Sequence, residues 1–169
     1  MTKEIERKYV LKYIPDYMKA NGSAYIKQGY LFEDPSRYSV RLRNISDIYY
    51  TVTVKSGSGL SREEHENFLS KEVFEALWER TYCSLEKRRY FYSDPEKDLL
   101  YEIDEYLGDL EGLFTLEVEF QEVGEATFFL LPKDLQDIAT DVTGYHMYSN
   151  KYLAAYGITV KSKGDLNEI

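Results

Sequence analysis

"EIERKY", Glu4–Tyr9, is the stretch whose reading decides the fold. As a β-strand it alternates its side chains between two faces. Glu4, Glu6 and Lys8 then share one face, and Ile5, Arg7 and Tyr9 share the other. A half-buried strand normally hides an apolar face and wets a polar one. Ile5 and Tyr9 fit the buried side. The charged trio either decorates the solvent side or points into something, and the other strands decide which.

The same pattern recurs along the chain. In "SVRLR", Arg41 and Arg43 oppose Val40 and Leu42. In "YYTVTVK", Thr51, Thr53 and Lys55 oppose Tyr50, Val52 and Val54. Arg62, Glu64 and Glu66 share a face in "LSREEHENF", as do Lys87 and Arg89 in "SLEKRRYFY". Glu102 and Asp104 share one in "LYEIDEYL", and Glu117 and Glu119 one in "FTLEVEF". Arg7 and Arg88 fall on the opposite faces of their strands.

Most of these pairs are like-charged, and like charges side by side on one face repel. A further partner is needed to neutralise them. Glu4, Glu6, Glu117 and Glu119 suit a hard divalent cation held by oxygen ligands. Lys8, Arg41, Arg43, Lys55, Lys87 and Arg89 suit a polyanion, and the arginines match phosphate geometry. A metal-bound polyphosphate satisfies both sets. A sheet with an apolar outer face and a charged inner face can close into a barrel with a wet lumen.

Composition narrows the class. The 169 residues are 43% hydrophobic and 30% charged, as expected of one globular domain. Asp and Glu number 30 against 21 Lys and Arg, a formal charge of −9, which argues against nucleic acid as a partner. The 17 Tyr fit a strand-rich chain. The lone Cys83 makes no internal disulfide, and the charged N-terminus reads as no signal peptide. Phe128–Leu131, an apolar run near the C-terminal half, is far too short to span a membrane. These features point to a cytoplasmic protein without membrane contact. A homodimer is left open.

Turn-forming residues fall at 21–23, 34–36, 56–59, 93–95 and 108–112, and short alternating segments lie between them. Three helices are predicted. The stripe Val73, Phe74, Leu77 and Trp78 follows Ser70 as N-cap and is a candidate cover for the apolar face. Residues 124–131 read as a helix stopped by Pro132, and 150–156 as one stopped by Gly157. The polar end, 159–169, reads as a tail after a domain spanning 1–158.

At this point the residues resemble a known family. "EIERK" resembles the N-terminal ExExK signature of the CYTH domain, the triphosphate tunnel metalloenzymes. Further family marks stand in order: "QGYL" at Gln28–Leu31, "VRLR" at Val40–Arg43, Lys55, "SREEHE" at Ser61–Glu66, and Lys87-Arg88-Arg89. "EIDEY" at Glu102–Tyr106, "LEVEF" at Leu116–Phe120, "DVT" at Asp141–Thr143 and "YSNKYLA" at Tyr148–Ala154 complete the set.

The resemblance implies a mainly β, eight-stranded antiparallel barrel tunnel with a charged lumen and a few peripheral helices. It implies that Glu4, Glu6, Glu117 and Glu119 ligate Mg²⁺ or Mn²⁺, with Glu64 near a second metal or the attacking water. It implies that Lys8, Arg41, Arg43, Lys55, Lys87 and Arg89 grip the phosphates. Asp104 matches an acidic position that orients a basic residue or reaches a metal-bound water. Many relatives carry Arg where this chain has Met147.

The expected reaction is removal of the terminal phosphate of a triphosphate, inorganic tripolyphosphate for preference, by a metal-activated water. The same wall would serve a class IV-like adenylate cyclase, a thiamine triphosphatase or a non-catalytic polyphosphate-binding module. Apposed carboxylates argue against the last, because a mere anion binder gains nothing from them.

Overall fold

A computed structural model describes residues 5–34, 38–56 and 63–158. Glu4, Arg62, Gly57, Gly59 and the 159–169 tail lie outside the described residues.

The chain forms one antiparallel sheet. Its strands are β1 (Ile5–Leu11), β2 (Ser23–Asp34), β3 (Tyr38–Ile45), β4 (Tyr49–Ser56) and β5 (Glu63–Phe68), then β6 (Cys83–Asp94), β7 (Leu99–Tyr106), β8 (Phe114–Phe120) and β9 (Ala139–Asp141). Their spatial order is β5-β4-β3-β2-β6-β7-β8-β1-β9. Eight strands were expected; β9 is a ninth, only three residues long, paired to the edge of β1. Among the described residues no pairing joins β5 to β9, so the sheet is open along that seam.

The register puts the two sequence faces on the two sides of the sheet. Residues directly opposite in an antiparallel pair share a face. Glu6 faces Glu119, Lys8 faces Glu117, and Glu117 in turn faces Glu102. Arg89 faces Asp104, Arg43 faces both Gln28 and Thr51, and Lys55 faces Glu64. One side is therefore charged from β1 to β5.

The other side is apolar, and helices cover it. Tyr9, Leu11, Tyr101, Ile103, Leu116, Val118 and Phe120 pack there with Met18, Ala126, Phe129 and Leu135. Ala126 and Leu135 come from α2 (Val123–Phe128) and α3 (Lys133–Gln136). The chain leaves α2 in an extended conformation at Phe129, so Phe129 and Leu131 turn inward while Phe128 and Leu130 face solvent. One helix over 124–131 was expected; two short ones flank this extended link.

Over β3 and β4 the cover is α1 (Lys71–Trp78), whose Phe74, Leu77 and Trp78 pack against Leu42, Tyr50 and Val52. Ser70 caps it, its hydroxyl accepting from the Val73 amide at 3.3 Å. Val73 itself turns to solvent, outside the expected stripe. Gly29 of the "QGYL" mark lies beneath this helix. A Cβ there would come within 2.9 Å of the Trp78 ring and 2.8 Å of Thr81, so glycine is what admits the helix.

Arg7, on the apolar side, hydrogen-bonds the Ala126 carbonyl at 2.8 Å and pairs with Asp141. It ties α2 and β9 to β1. Arg88 is exposed.

The last helix behaves differently. α4 (Asn150–Tyr156) and the 3-10 turn at His146–Tyr148 dock Leu153 and Tyr148 against Val10, Leu85 and Tyr106. By register those three belong to the charged side. α4 therefore closes one end of that side. Elsewhere the charged side buries Lys8, Arg89, Asp104 and Thr53 with no second layer among the described residues, as a sheet that curls around them would.

Candidate active site

The charged side has two parts. The first lies on β6, β7, β8 and β1. Arg89 grips Asp104 in a two-pronged pair, Nε to Oδ1 at 2.7 Å and Nη2 to Oδ2 at 2.8 Å. Its Nη1 donates to Glu102, and its Nη2 lies 3.4 Å from Glu117. Lys8 donates to Glu117 at 2.7 Å. Lys87 donates to Asp104 at 2.6 Å and to Asn150 at 3.3 Å.

The "DVT" mark secures Lys8. The Lys8 amide donates to the Thr143 hydroxyl at 3.0 Å, and the Lys8 carbonyl accepts from Val142 at 2.9 Å.

The second part lies on β3, β4 and β5. Lys55 pairs with Glu64 at 2.9 Å. Arg41 donates to Thr53 at 3.1 Å and sits 3.5 Å from Glu64 and 3.7 Å from Glu66. Arg43 reaches Gln28 at 3.4 Å. Among the described residues, the buried Nε of Arg41 and the buried Nε of Arg43 find no hydrogen-bond partner.

These pairings change one expectation. Like charges do repel along each strand, but the neighbouring strands supply the opposite charge. The cationic wall is not a bare array waiting for an anion; Lys8, Arg41, Lys55, Lys87 and Arg89 already hold carboxylates. Lys87 was expected to grip phosphate, yet it has no exposed surface and bears on the wall through Asp104.

Electrostatics follow from depth. Burial pushes the Asp104 carboxyl up, but Lys87 and Arg89 outweigh it and hold Asp104 well below the usual range. Glu117 is likewise depressed, burial being overcome chiefly by Lys8. Glu102 goes the other way: burial raises it, Arg89 opposes, and Glu117, Asp104 and Glu119 add to the rise. Burial brings Lys87 down to about 7 against the pull of Asp104. Arg43 falls to about 10 through burial, with Arg41 and Arg89 adding to the fall. Arg41 and Arg43 share a face of β3, and the Arg43 guanidinium has Gln28 as its one hydrogen-bond acceptor among the described residues.

Glu6 and Glu119 stand opposite each other in register at the exposed end of the wall, next to the crowded Glu117 and Glu102. Among the described residues no three His, Cys, Asp or Glu side chains converge on one point, and Glu4 lies outside them. The donor set is all carboxylate, which is the chemistry a hard divalent cation requires. By donor chemistry, though not as one converged site, Glu6, Glu117 and Glu119 suit such an ion.

Sequence reasoning left Glu102, Glu66, Gln28, Thr53 and Asn150 without roles. Glu102 was legible as the face partner of Asp104. Asn150 lies in a family mark, but nothing in its spacing tells which face its helix covers. His65 and His146 are exposed and stand apart from the wall's ion pairs.

The fold and the wall together define an antiparallel sheet with one charged side and one helix-covered apolar side. The chain belongs to the CYTH domain family, whose model matches residues 2–144. Membership implies a divalent metal. The chain is 36% identical over 155 residues to an inorganic triphosphatase of Nitrosomonas europaea, covering 89% of this chain and 96% of that one. It is 34% identical over 157 residues to an inorganic triphosphatase of Acetivibrio thermocellus, covering 90% and 94%. The crystal structure of an inorganic triphosphatase superposes with a TM-score of 0.68 at 33% identity, covering 92% of this chain and 96% of that one. Among the described residues no helix is long and apolar enough to cross a membrane.

Proposed function

We propose that this chain is an inorganic triphosphatase that releases orthophosphate and pyrophosphate from tripolyphosphate. The observation that supports this most is the pair Arg41 and Arg43, whose buried Nε donors are unmet among the described residues, on the same charged side as Arg89, Glu102 and Glu117. The two relatives of that name support the choice of substrate.

Lys8, Arg41, Arg43, Lys55 and Arg89 would hold the phosphate oxygens, with Lys87 acting through Asp104. Except at Arg43, which holds Gln28, each phosphate contact would replace a carboxylate contact, so the anion enters a wall already shaped for it. Glu4, Glu6, Glu117 and Glu119 would hold Mg²⁺ or Mn²⁺, with Glu64 near a second ion. When bound, the metal supplies charge neutralisation at the phosphate oxygens and a more acidic water.

Glu64, held by Lys55 and Arg41, would orient the attacking water and accept its proton. Water's oxygen bonds the terminal phosphorus. The bridging P–O bond breaks, and pyrophosphate leaves with the bond's electron pair. The functional domain is taken as 1–158, since α4 packs on the wall. The lone Cys83 supports a cytoplasmic setting.

The test is a substrate panel of inorganic triphosphate, ATP and thiamine triphosphate, each with Mg²⁺ and with Mn²⁺. Fastest turnover is expected with inorganic triphosphate. Pyrophosphate and cyclic AMP from ATP would overturn the hydrolase in favour of a cyclase. No turnover of any of the three would leave a binding module.

A further inference from the structure

One side chain of the charged wall comes from beyond the matched family domain. Asn150 is the first residue of α4, and the family model ends at residue 144. Its Oδ1 accepts from the Tyr106 hydroxyl at 2.6 Å and from Lys87 Nζ at 3.3 Å. The assignment of oxygen at that position follows from chemistry, because an ammonium can only donate.

Both donors are fully buried. Lys87 has three N–H bonds to place and no exposed surface. Asp104 takes one at 2.6 Å but is also gripped from its other side by Arg89. Asn150 supplies a further acceptor, shared by Lys87 and the Tyr106 hydroxyl. A continuous chain results: Asn150 to Lys87, Lys87 to Asp104, Asp104 to Arg89, and Arg89 to Glu102 and Glu117.

The helix that brings Asn150 is itself fixed. Ser149 caps it, its hydroxyl accepting from the Tyr152 amide at 3.2 Å, and Leu153 is buried against the Val10–Leu85–Tyr106 floor. The Asn150 side chain is thus delivered by a docked element.

We propose that Asn150 is a positioning residue. It holds Lys87 against Asp104 and so fixes the pose of the Arg89 guanidinium, making α4 part of the active site. The proposal rests on the triphosphatase reading for its kinetic consequence, but the pose of Arg89 can be read without substrate.

The experiment compares wild type with Asn150→Leu, which keeps the size and loses the acceptor, and Asn150→Asp, which keeps an acceptor in the same place. The Arg89 Nε–Hε NMR signal is recorded in the free protein, and kcat and KM are measured with inorganic triphosphate. In Asn150→Leu the signal should shift and exchange faster. Its kcat should fall about tenfold or more, with KM changed less than about threefold. Asn150→Asp should restore both readouts to within about threefold of wild type.

Tyr106→Phe removes one of the two donors without a large cavity. It should move the Arg89 signal in the same direction by less, and it carries the test if Asn150→Leu fails to fold. An unmoved Arg89 signal in Asn150→Leu or, failing that, in Tyr106→Phe overturns the proposal. So does an Asn150→Asp protein no better than Asn150→Leu. A wild type that leaves triphosphate intact defeats the functional reading, while the NMR comparison still decides the role of Asn150.

Discussion

The β6–β8 part of the wall and the β3–β5 part use the same residue types at different depths. Around Asp104 the contacts run from 2.6 to 2.8 Å, and the Lys87 and Asp104 side chains are 0% and 1% exposed. Around Arg41 the carboxylates stand 3.5 and 3.7 Å away, and Glu66 is 45% exposed. The deep part is a locked ion network with its demands met inside. In the shallow part Lys55 holds Glu64 at 2.9 Å, but among the described residues the contacts of Arg41 and Arg43 are long and each has an unmet donor. A buried network gives fixed geometry, and losing one member leaves a charge uncompensated. A loose, wetter pair costs little to break. The difference points to a division of labour: Lys87 and Asp104 set the frame, and the looser contacts of Arg41 are the easiest to exchange.

The sharpest way to break this comparison is Asp104→Asn. It strips the shared carboxylate from Lys87 and Arg89, and denaturant unfolding should show a loss of about 3–5 kcal/mol. An unchanged midpoint would mean the deep network is not structural. Arg41→Ala should do the reverse. Its stability should move by less than about 1 kcal/mol, while kcat/KM for inorganic triphosphate falls about a hundredfold. If Arg41→Ala unfolds as readily as Asp104→Asn, the two parts are not distinct.

Acid stability sharpens the same point. Asp104 and Glu117 have folded values below their unfolded ones, so their contribution is complete above the ordinary carboxylate range. It is lost as pH falls below about 4, through the lowered folded values. Glu102, raised in the fold, has the opposite sign: its contribution is present at low pH and fades as pH rises through its folded value. Urea midpoints should therefore drop in acid for wild type and drop less in Asp104→Asn. Parallel profiles would remove Asp104 from the account. The smallest effect belongs to Arg88→Ala, an exposed position on the far face, where stability should stay within about 0.5 kcal/mol and turnover should not change.

The wall was legible because strand geometry fixes which of Lys8, Arg41, Lys87 and Glu117 share a face before any partner is known. Who pairs with whom was not legible. Lys8 and Glu117 are 109 residues apart and meet only because β1 and β8 are neighbours. For the same reason the cations looked unpaired in the sequence and are paired in the fold. Helix α1 was readable from its cap and stripe, except for Val73, since a short helix needs only part of a stripe to dock. The helix at 150–156 was readable, but its apolar side fits either face of a sheet. Its docking on the charged side, and with it the place of Asn150, appears only in three dimensions. Arg7 shares the face of Ile5 and Tyr9, as expected. Nothing in the sequence showed that it tethers α2 and β9, so Arg88 is the better control.

The most direct test of the central claim is hydrolysis of inorganic triphosphate in ¹⁸O-labelled water with a divalent metal, followed by ³¹P NMR. Equal amounts of orthophosphate and pyrophosphate should form, with the label in orthophosphate alone, as attack of water on the terminal phosphorus requires. Label in pyrophosphate, or triphosphate left intact, would contradict it.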